Sequence, residues 1–308
     1  MANELCIIGQ EKSQSNIKLL EEAKKIFDSV FFLPVTGISL SLSDRFSIMY
    51  RTTDILKFKA VLPRIPPAFN SYAYQMLSMF SEETFMPIKP TSFLITSDRF
   101  FLLTVLRKQG IDTINLRLTR SIEPAYRMIE EDLFPVIIRS PQKETGVVVK
   151  NKLEARTTID TLAAIKQPII IEDAVKDVAS LYVAGDEVAA AVTKKTEGKD
   201  VVFSPGKLRK HKPNIETEHI ALETAKVLES SLVRVDISLD KKPRVVNVSL
   251  DPDIIAPSKA TKVNLAERFA RTVYEKHKEY EQRPVLMKFF GDAKSVLKDV
   301  FRSRHTQP

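Results

Sequence analysis

Residues 232–253, LVRVDISLDKKPRVVNVSLDPD, read as a strand, a turn and a second strand. Hairpins of this kind often carry acidic side chains toward a metal ion, because hard cations such as magnesium take carboxylate oxygen. The first strand offers Asp236, whereas the second offers Asn247 and Ser249 where a carboxylate would serve. On these residues alone a metal site, the remnant of one and a plain hairpin all stay open.

Few other residues compete for chemistry. The four histidines, His211, His219, His277 and His305, show no H-x-x-x-H or Cys–His spacing, which argues against zinc. There is no G-x-S-x-G elbow, and the single cysteine, Cys6, lies in an apolar run that reads as a buried thiol in a reducing compartment. Glycine is scarce, 8 in 308 residues, and neither G-x-G-x-x-G nor G-x-x-x-x-G-K-[ST] occurs. A Rossmann dehydrogenase or a P-loop enzyme is therefore not expected. A basic run, Lys207, Arg209, Lys210, His211 and Lys212, suits an acidic partner such as nucleic acid, an acidic peptide or phosphate groups. It has no interleaved aromatics on which bases could stack.

The chain that must position these residues is ordinary in bulk, 44% hydrophobic and 28% charged, with a net charge of +8 from 47 basic and 39 acidic residues. Its length allows two domains or one large α/β domain. No apolar run approaches the roughly 20 residues that span a bilayer. The start, MANELCIIGQ, lacks the features of a signal peptide, so a cytoplasmic location is expected.

Along the chain, ELCIIGQ reads as a strand and SNIKLLEEAKKIFDSV as an amphipathic helix. Further short strands in FFLPVTGISLSL and FSIMYRTTDILKFKAVLPRI, a helix in SYAYQMLSMFSEE and a strand end at SFLIT predict an open, mainly parallel sheet for residues 1–90. SDRFFLLTVLRKQG predicts a helix capped by Ser97 or Asp98 and closed by Gly110. A helix around EPAYRMIEEDL leads to the strand FPVIIRS. GVVVKN, a helix from about residue 156 to 165 and the strand PIIIED follow. SLYVAGDEVAAAVTKK reads as two antiparallel strands turning at Gly185-Asp186. TEHIALETAKVLESS and NLAERFARTVYEKHKEY are helices on either side of the opening hairpin.

The run AVLPRIPPAF, ITSDRFFLLTVLRKQGI, FPVIIRS, YVAGDEVAAAV, VRVDIS, PRVVNVS, collinear over about residues 60–275, resembles the ATP-grasp superfamily and is most similar to its RimK-like branch. That branch joins glutamate or another amine to a carboxylate at the expense of ATP. The resemblance implies an α/β ATP-grasp fold with a preceding Rossmann-like α/β domain. The expected divisions are an N-terminal domain over 1–90, a small subdomain over 91–165, a large subdomain over 166–284 and a C-terminal helical extension over 285–308.

The resemblance also implies roles. ATP and magnesium become the expected ligands, with an acylphosphate formed and then attacked by the amine. Arg99 and Arg139 stand where the family grips the phosphates with lysine, and Arg offers a planar fork instead of a compact ammonium. The stretch IIIEDAVK, through Glu172, Asp173 and Val175, stands where the family binds adenine. Asp236, Asn247 and Ser249 take the positions of the family's Asp and Glu-x-Asn metal ligands, so two carboxylates fall to one. Asp251 is a candidate replacement, although Pro252 places a turn between it and Asp253. Ser180 replaces a family Arg, and the phosphate-covering loop, here SPQKETGVVV, keeps only Gly146.

The tail VLMKFFGDAKSVLKDVFRSRHTQP has an apolar stripe at helical spacing, from Leu286 to Phe301, with lysines and arginines between. It predicts a basic amphipathic helix that packs on its own domain or a second copy, docks on a protein partner, or, as the less favoured alternative, lies on a membrane surface. Losses concentrated on one site favour a degenerate relative with weak or no ligase activity and a partner-binding role, with nucleotide binding left open. The alternative is an active ATP-dependent carboxylate–amine ligase.

Overall fold

The computed structural model describes residues 3–11, 13–44, 46–130, 134–141, 146–196 and 206–283. The tail over 285–308 and most of the SPQKETG loop lie outside the described residues.

ELCIIG forms β1 (Glu4–Gly9), whose last five residues are buried. A strand apolar on both faces belongs inside a parallel sheet. The helix α1 (Gln14–Ala23), capped by Ser13, provides the crossover to β2 (Ser29–Pro34). The next strands, β3 (Ile38–Leu42), β4 (Phe46–Tyr50) and β5 (Thr53–Asp54), pair with one another in a separate antiparallel sheet. Then β6 (Val61–Arg64) returns to β1, giving a parallel order β2-β1-β6, and α2 (Asn70–Leu77) follows. The single mainly parallel sheet expected for this region is therefore two sheets, because the short strands after β2 reverse tightly instead of crossing over.

SFLIT is not a strand end. It lies in α3 (Pro90–Thr96), with Pro90 in the first turn, where its missing N–H is no loss, and Thr96 donating to the carbonyl of Ser92 one turn back. Next, α4 (Arg99–Lys108) begins at Asp98, whose carboxylate accepts the N–H of Phe101, and ends before Gly110 at φ +84°.

A four-stranded antiparallel sheet follows. It is built from β7 (Leu116–Thr119), α5 (Ile122–Glu130), β8 (Val136–Arg139), β9 (Val147–Val149), α6 (Lys152–Ala164) and β10 (Ile169–Asp173), in strand order β7-β10-β8-β9. The helix α6 starts earlier than its apolar pattern announces because Asn151 caps it, accepting from Glu154. This unit has its own core of Ile129, Ile138, Ile159 and Ile171. Since β10 pairs here, residues 116–173 pack as this small sheet with its helices, while Leu102, Leu103 and Leu106 of α4 bury in the main core.

The remaining strands, β11 (Val178–Ala184), β12 (Glu187–Thr196), β13 (Gly206–Lys210), β14 (Leu232–Ser238) and β15 (Val245–Ser249), make an antiparallel sheet in the order β13-β12-β11-β14-β15. Gly185, at φ +66°, makes the β11–β12 turn, a backbone setting that favours glycine. The basic run from Lys207 to Lys212 lies largely in the edge strand β13. Helices α7 (Ile215–Val227), α8 (Ile255–Thr261) and α9 (Leu265–Gln282) pack against this sheet, and α9 also packs along α1. One core runs from Leu5 to Val273, so the N-terminal sheets and the large sheet are a single packed body. No helix among the described residues is long and apolar enough to cross a membrane.

Arg64, at the end of β6, is the polar strut of that body. It is fully buried, donates from Nη2 to the Pro252 carbonyl at 2.7 Å and from Nε to Asn16 at 3.3 Å, and lies 2.9 Å from the Asp251 carboxylate. Burial pulls its guanidinium below the usual value, while Asp251 and Asp253 pull the other way. Arg64→Ala would leave Asp251 without its counter-charge and is expected to cost about 3–5 kcal/mol, read from the urea unfolding midpoint. A loss under about 1 kcal/mol, the scale of a solvated surface pair, would show that the strut carries little stability.

Candidate functional site

The two arginines lie on different elements, Arg99 opening α4 and Arg139 closing β8, and both turn to the same carboxylate. Arg99 Nε donates to Glu172 Oε2 at 2.6 Å, and Arg139 Nη2 lies 2.5 Å from Glu172 Oε1. The Glu172 side chain is 1% exposed, so this three-residue cluster is largely dry. Glu172 can sit there because β10 pairs beside β8, placing Glu172 opposite Ile137 and Ile170 opposite Arg139.

Arg99 extends the cluster to the large sheet. Its Nη2 donates to the Val246 carbonyl at 2.8 Å and its Nη1 to the Asn247 side-chain oxygen at 3.2 Å. The register sets Asn247 of β15 directly opposite Asp236 of β14, and Asp236 opposite Ser180 of β11, so the three share one face. A bulge in the β14–β15 ladder falls immediately after Asp236, a feature that re-aims side chains. Ser180 Oγ donates to Asp236 at 2.6 Å, Asn247 Nδ2 donates at 3.4 Å, and Arg234 Nη2 lies 3.0 Å away. A continuous polar chain therefore runs Arg139, Glu172, Arg99, Asn247, Asp236, Arg234.

The other candidates are placed as follows. Asp173 pairs with Arg244 at 2.7 Å and accepts from Asn115, which ties β10 to the loop before β15. Val175 is buried in the main core between β10 and β11. Ser249 stands opposite Arg234. Strand β15 ends at Ser249, so the period-two pattern does not continue to Asp251, which is held by Arg64. Asp253 accepts from Ser15 at 2.9 Å and from the amides of Ile255 and Ala256 at the start of α8. Gly146 packs against β8, where a Cβ would come within 2.9 Å of the Arg139 and Ile137 side chains. The residues of the run Lys207, Arg209, Lys210 and Lys212 are exposed, on or just beyond the edge strand β13.

Sequence reading missed two residues of this face. Arg234 lies two positions before Asp236, so strand alternation alone would have placed it. Tyr182 stands opposite Arg234 on β11, and burial pushes its phenol up to about 12.

A pair of magnesium ions does not fit this donor set. Magnesium wants hard oxygen, usually from one or two carboxylates with water. The face supplies Asp236 alone, already bonded to Ser180 and beside Arg234, flanked by an amide and a hydroxyl. Among the described residues no three His, Cys, Asp or Glu side chains converge as a metal-ligand group. The arginine pair does fit an anion, and the anion it holds is the protein's own carboxylate.

A family model described as the RimK-like ATP-grasp domain matches residues 96–273. The chain is 23% identical over 244 residues to a ribosomal protein bS6–L-glutamate ligase of Escherichia coli O81 (strain ED1a), a match covering 75% of this chain and 81% of the relative. It is 24% identical over 273 residues to a probable alpha-L-glutamate ligase of Nitrosococcus oceani, covering 83% and 90%. Among solved structures, the ATP-grasp ligase PsnB complexed with minimal precursor superposes with a TM-score of 0.71 at 16% identity, over 90% of this chain and 99% of that one. The D-cycloserine synthetase DcsG gives 0.68 at 14% identity, over 89% and 99%. At such identities the superpositions establish the fold.

Replacing Glu172 tests the cluster. Glu172→Gln leaves two buried guanidiniums short of their counter-charge and is expected to destabilise the chain by about 3–5 kcal/mol. Tripolyphosphate should return part of that stability to the variant and little to the wild type, both read by thermal unfolding. A variant that melts with the wild type would show that the carboxylate contributes no net stability.

Proposed function

Because the chain belongs to the RimK-like ATP-grasp family, we propose that it is a degenerate member, with weak or no ligase activity, whose phosphate-gripping arginines are engaged by Glu172. The observation that carries this reading is the Glu172 carboxylate, 2.6 and 2.5 Å from Arg99 and Arg139. Phosphoryl transfer is mostly positioning and neutralisation of charge on the transferring oxygens. Here the two cations best placed for that work already share the single negative charge of Glu172. A nucleotide entering the site must displace Glu172 and leave a buried carboxylate without partners, which subtracts from its affinity.

The hairpin supports the same reading. Asp236 is the one carboxylate on its face, and Ser180 and Arg234 already occupy its oxygens. Nucleotide binding in some form remains part of the proposal, since Arg99 and Arg139 keep their charge and their convergence. Its strength then depends on how readily Glu172 swings away.

A second reading, an active ATP-dependent carboxylate–amine ligase, draws on the relatives named as glutamate ligases and their coverage of 75–83% of this chain. Under it, L-glutamate is the first amine to try, Glu172 rotates off the arginines on nucleotide binding, and Asp236 exchanges Arg234 for an ion.

The two readings separate in a turnover assay with ATP, magnesium, L-glutamate and an acidic acceptor peptide. The degenerate reading expects ADP release at background. Sustained release that requires both glutamate and peptide would overturn it. Asn247→Glu returns a second carboxylate beside Asp236 and is expected to gain magnesium-dependent stabilisation by ADP, measured by thermal shift. No gain would mean that charge is not what the hairpin lacks.

A further inference from the structure

The outer edge of the five-stranded sheet carries charge that the site above does not use. Strand β13 is the end strand, and among the described residues it pairs only with β12, from Gly206 opposite Thr196 to Lys210 opposite Val192. Among the described residues that outer edge has no strand partner, which leaves its main-chain donors and acceptors available to one. Lys207 and Arg209 point to one face and Leu208 and Lys210 to the other, as strand alternation requires. Leu208 packs inward against the main core, which fixes that register, while Lys207, Arg209 and Lys210 are exposed, as is Lys212 two residues on. The stretch GKLRKHKPN, residues 206–214, contains no acidic side chain. The helix α8, packed against β12 and β13, adds exposed Lys259 and Lys262.

Cations along an edge strand repel a second copy of the same strand, because like charges would then face each other. The same row attracts a strand of opposite sign. We propose that β13 accepts an acidic, extended polypeptide segment by strand addition. Main-chain hydrogen bonds along the open edge supply the pairing, and carboxylates at alternate positions meet Lys207 and Arg209 on one face and Lys210 on the other. A polypeptide is favoured over single-stranded nucleic acid because residues 206–214 include no Phe, Tyr or Trp to serve as a stacking platform. The proposal is independent of whether the chain ligates, since none of these residues belongs to the Arg99–Glu172–Asp236 network.

The test is fluorescence anisotropy of a short labelled peptide alternating glutamate and valine, titrated with the full chain. Binding is expected, weakening as salt rises. Reversing two charges in Lys207→Glu/Arg209→Glu should weaken it by about tenfold or more. The same peptide with every backbone amide N-methylated keeps its charge but loses its donors, and should bind about tenfold more weakly or worse. Equal binding of the methylated peptide would overturn strand addition in favour of charge alone. Unchanged binding by the charge-reversed variant, or tighter binding of oligothymidylate than of the peptide, would also overturn the proposal.

Discussion

One buried carboxylate organises the centre of this protein. Glu172 enters a nearly dry space between two guanidiniums, and an ion there is tolerable only when it is paired and hydrogen-bonded. Its two oxygens divide between Arg99 and Arg139, so each guanidinium has a carboxylate oxygen as its partner. Three elements distant in sequence, α4, β8 and β10, are held together at that point. Arg99 also donates to Val246 and Asn247, so Glu172 of the small unit is linked through it to the large sheet.

The same logic recurs at Arg64. It is fully buried, and Asp251, Asn16 and the Pro252 carbonyl are its means of staying charged at the junction of the parallel sheet and the segment after β15. The consequence for function is direct. Each carboxylate that could serve a metal or a substrate near the hairpin already has a protein partner: Asp236 has Ser180 and Arg234, Asp251 has Arg64, and Asp253 caps α8. A site satisfied internally in this way binds a charged ligand only by exchange, and exchange costs the contacts it replaces.

Much of this was legible in the sequence, where the determinants are local. Asp98 and Gly110 bracket α4, Gly185-Asp186 turns β11 into β12, and the hairpin places Asp236 opposite Asn247. The family and its fold followed from weak matches in one order. What local patterns could not supply were the pairings made across long stretches of chain. Glu172 and Arg99 are 73 residues apart, and nothing in IIIED says that its glutamate faces two arginines instead of a ligand. The membership of β10 in the small sheet is likewise a question of strand order, on which its apolar run is silent. SFLIT, short and apolar, fits strand or helix equally well, and Pro90 at its head decided for helix.

The arginines and the hairpin carboxylate are engaged with the protein itself. Calorimetric titration of the full chain with ATP, with and without magnesium, tests it most directly. Binding is expected to be weak and indifferent to magnesium, because Glu172 competes for the phosphate cations and Asp236 alone does not recruit an ion. Magnesium-dependent binding at micromolar strength or tighter would contradict it, and would mean that the network opens to a working nucleotide site.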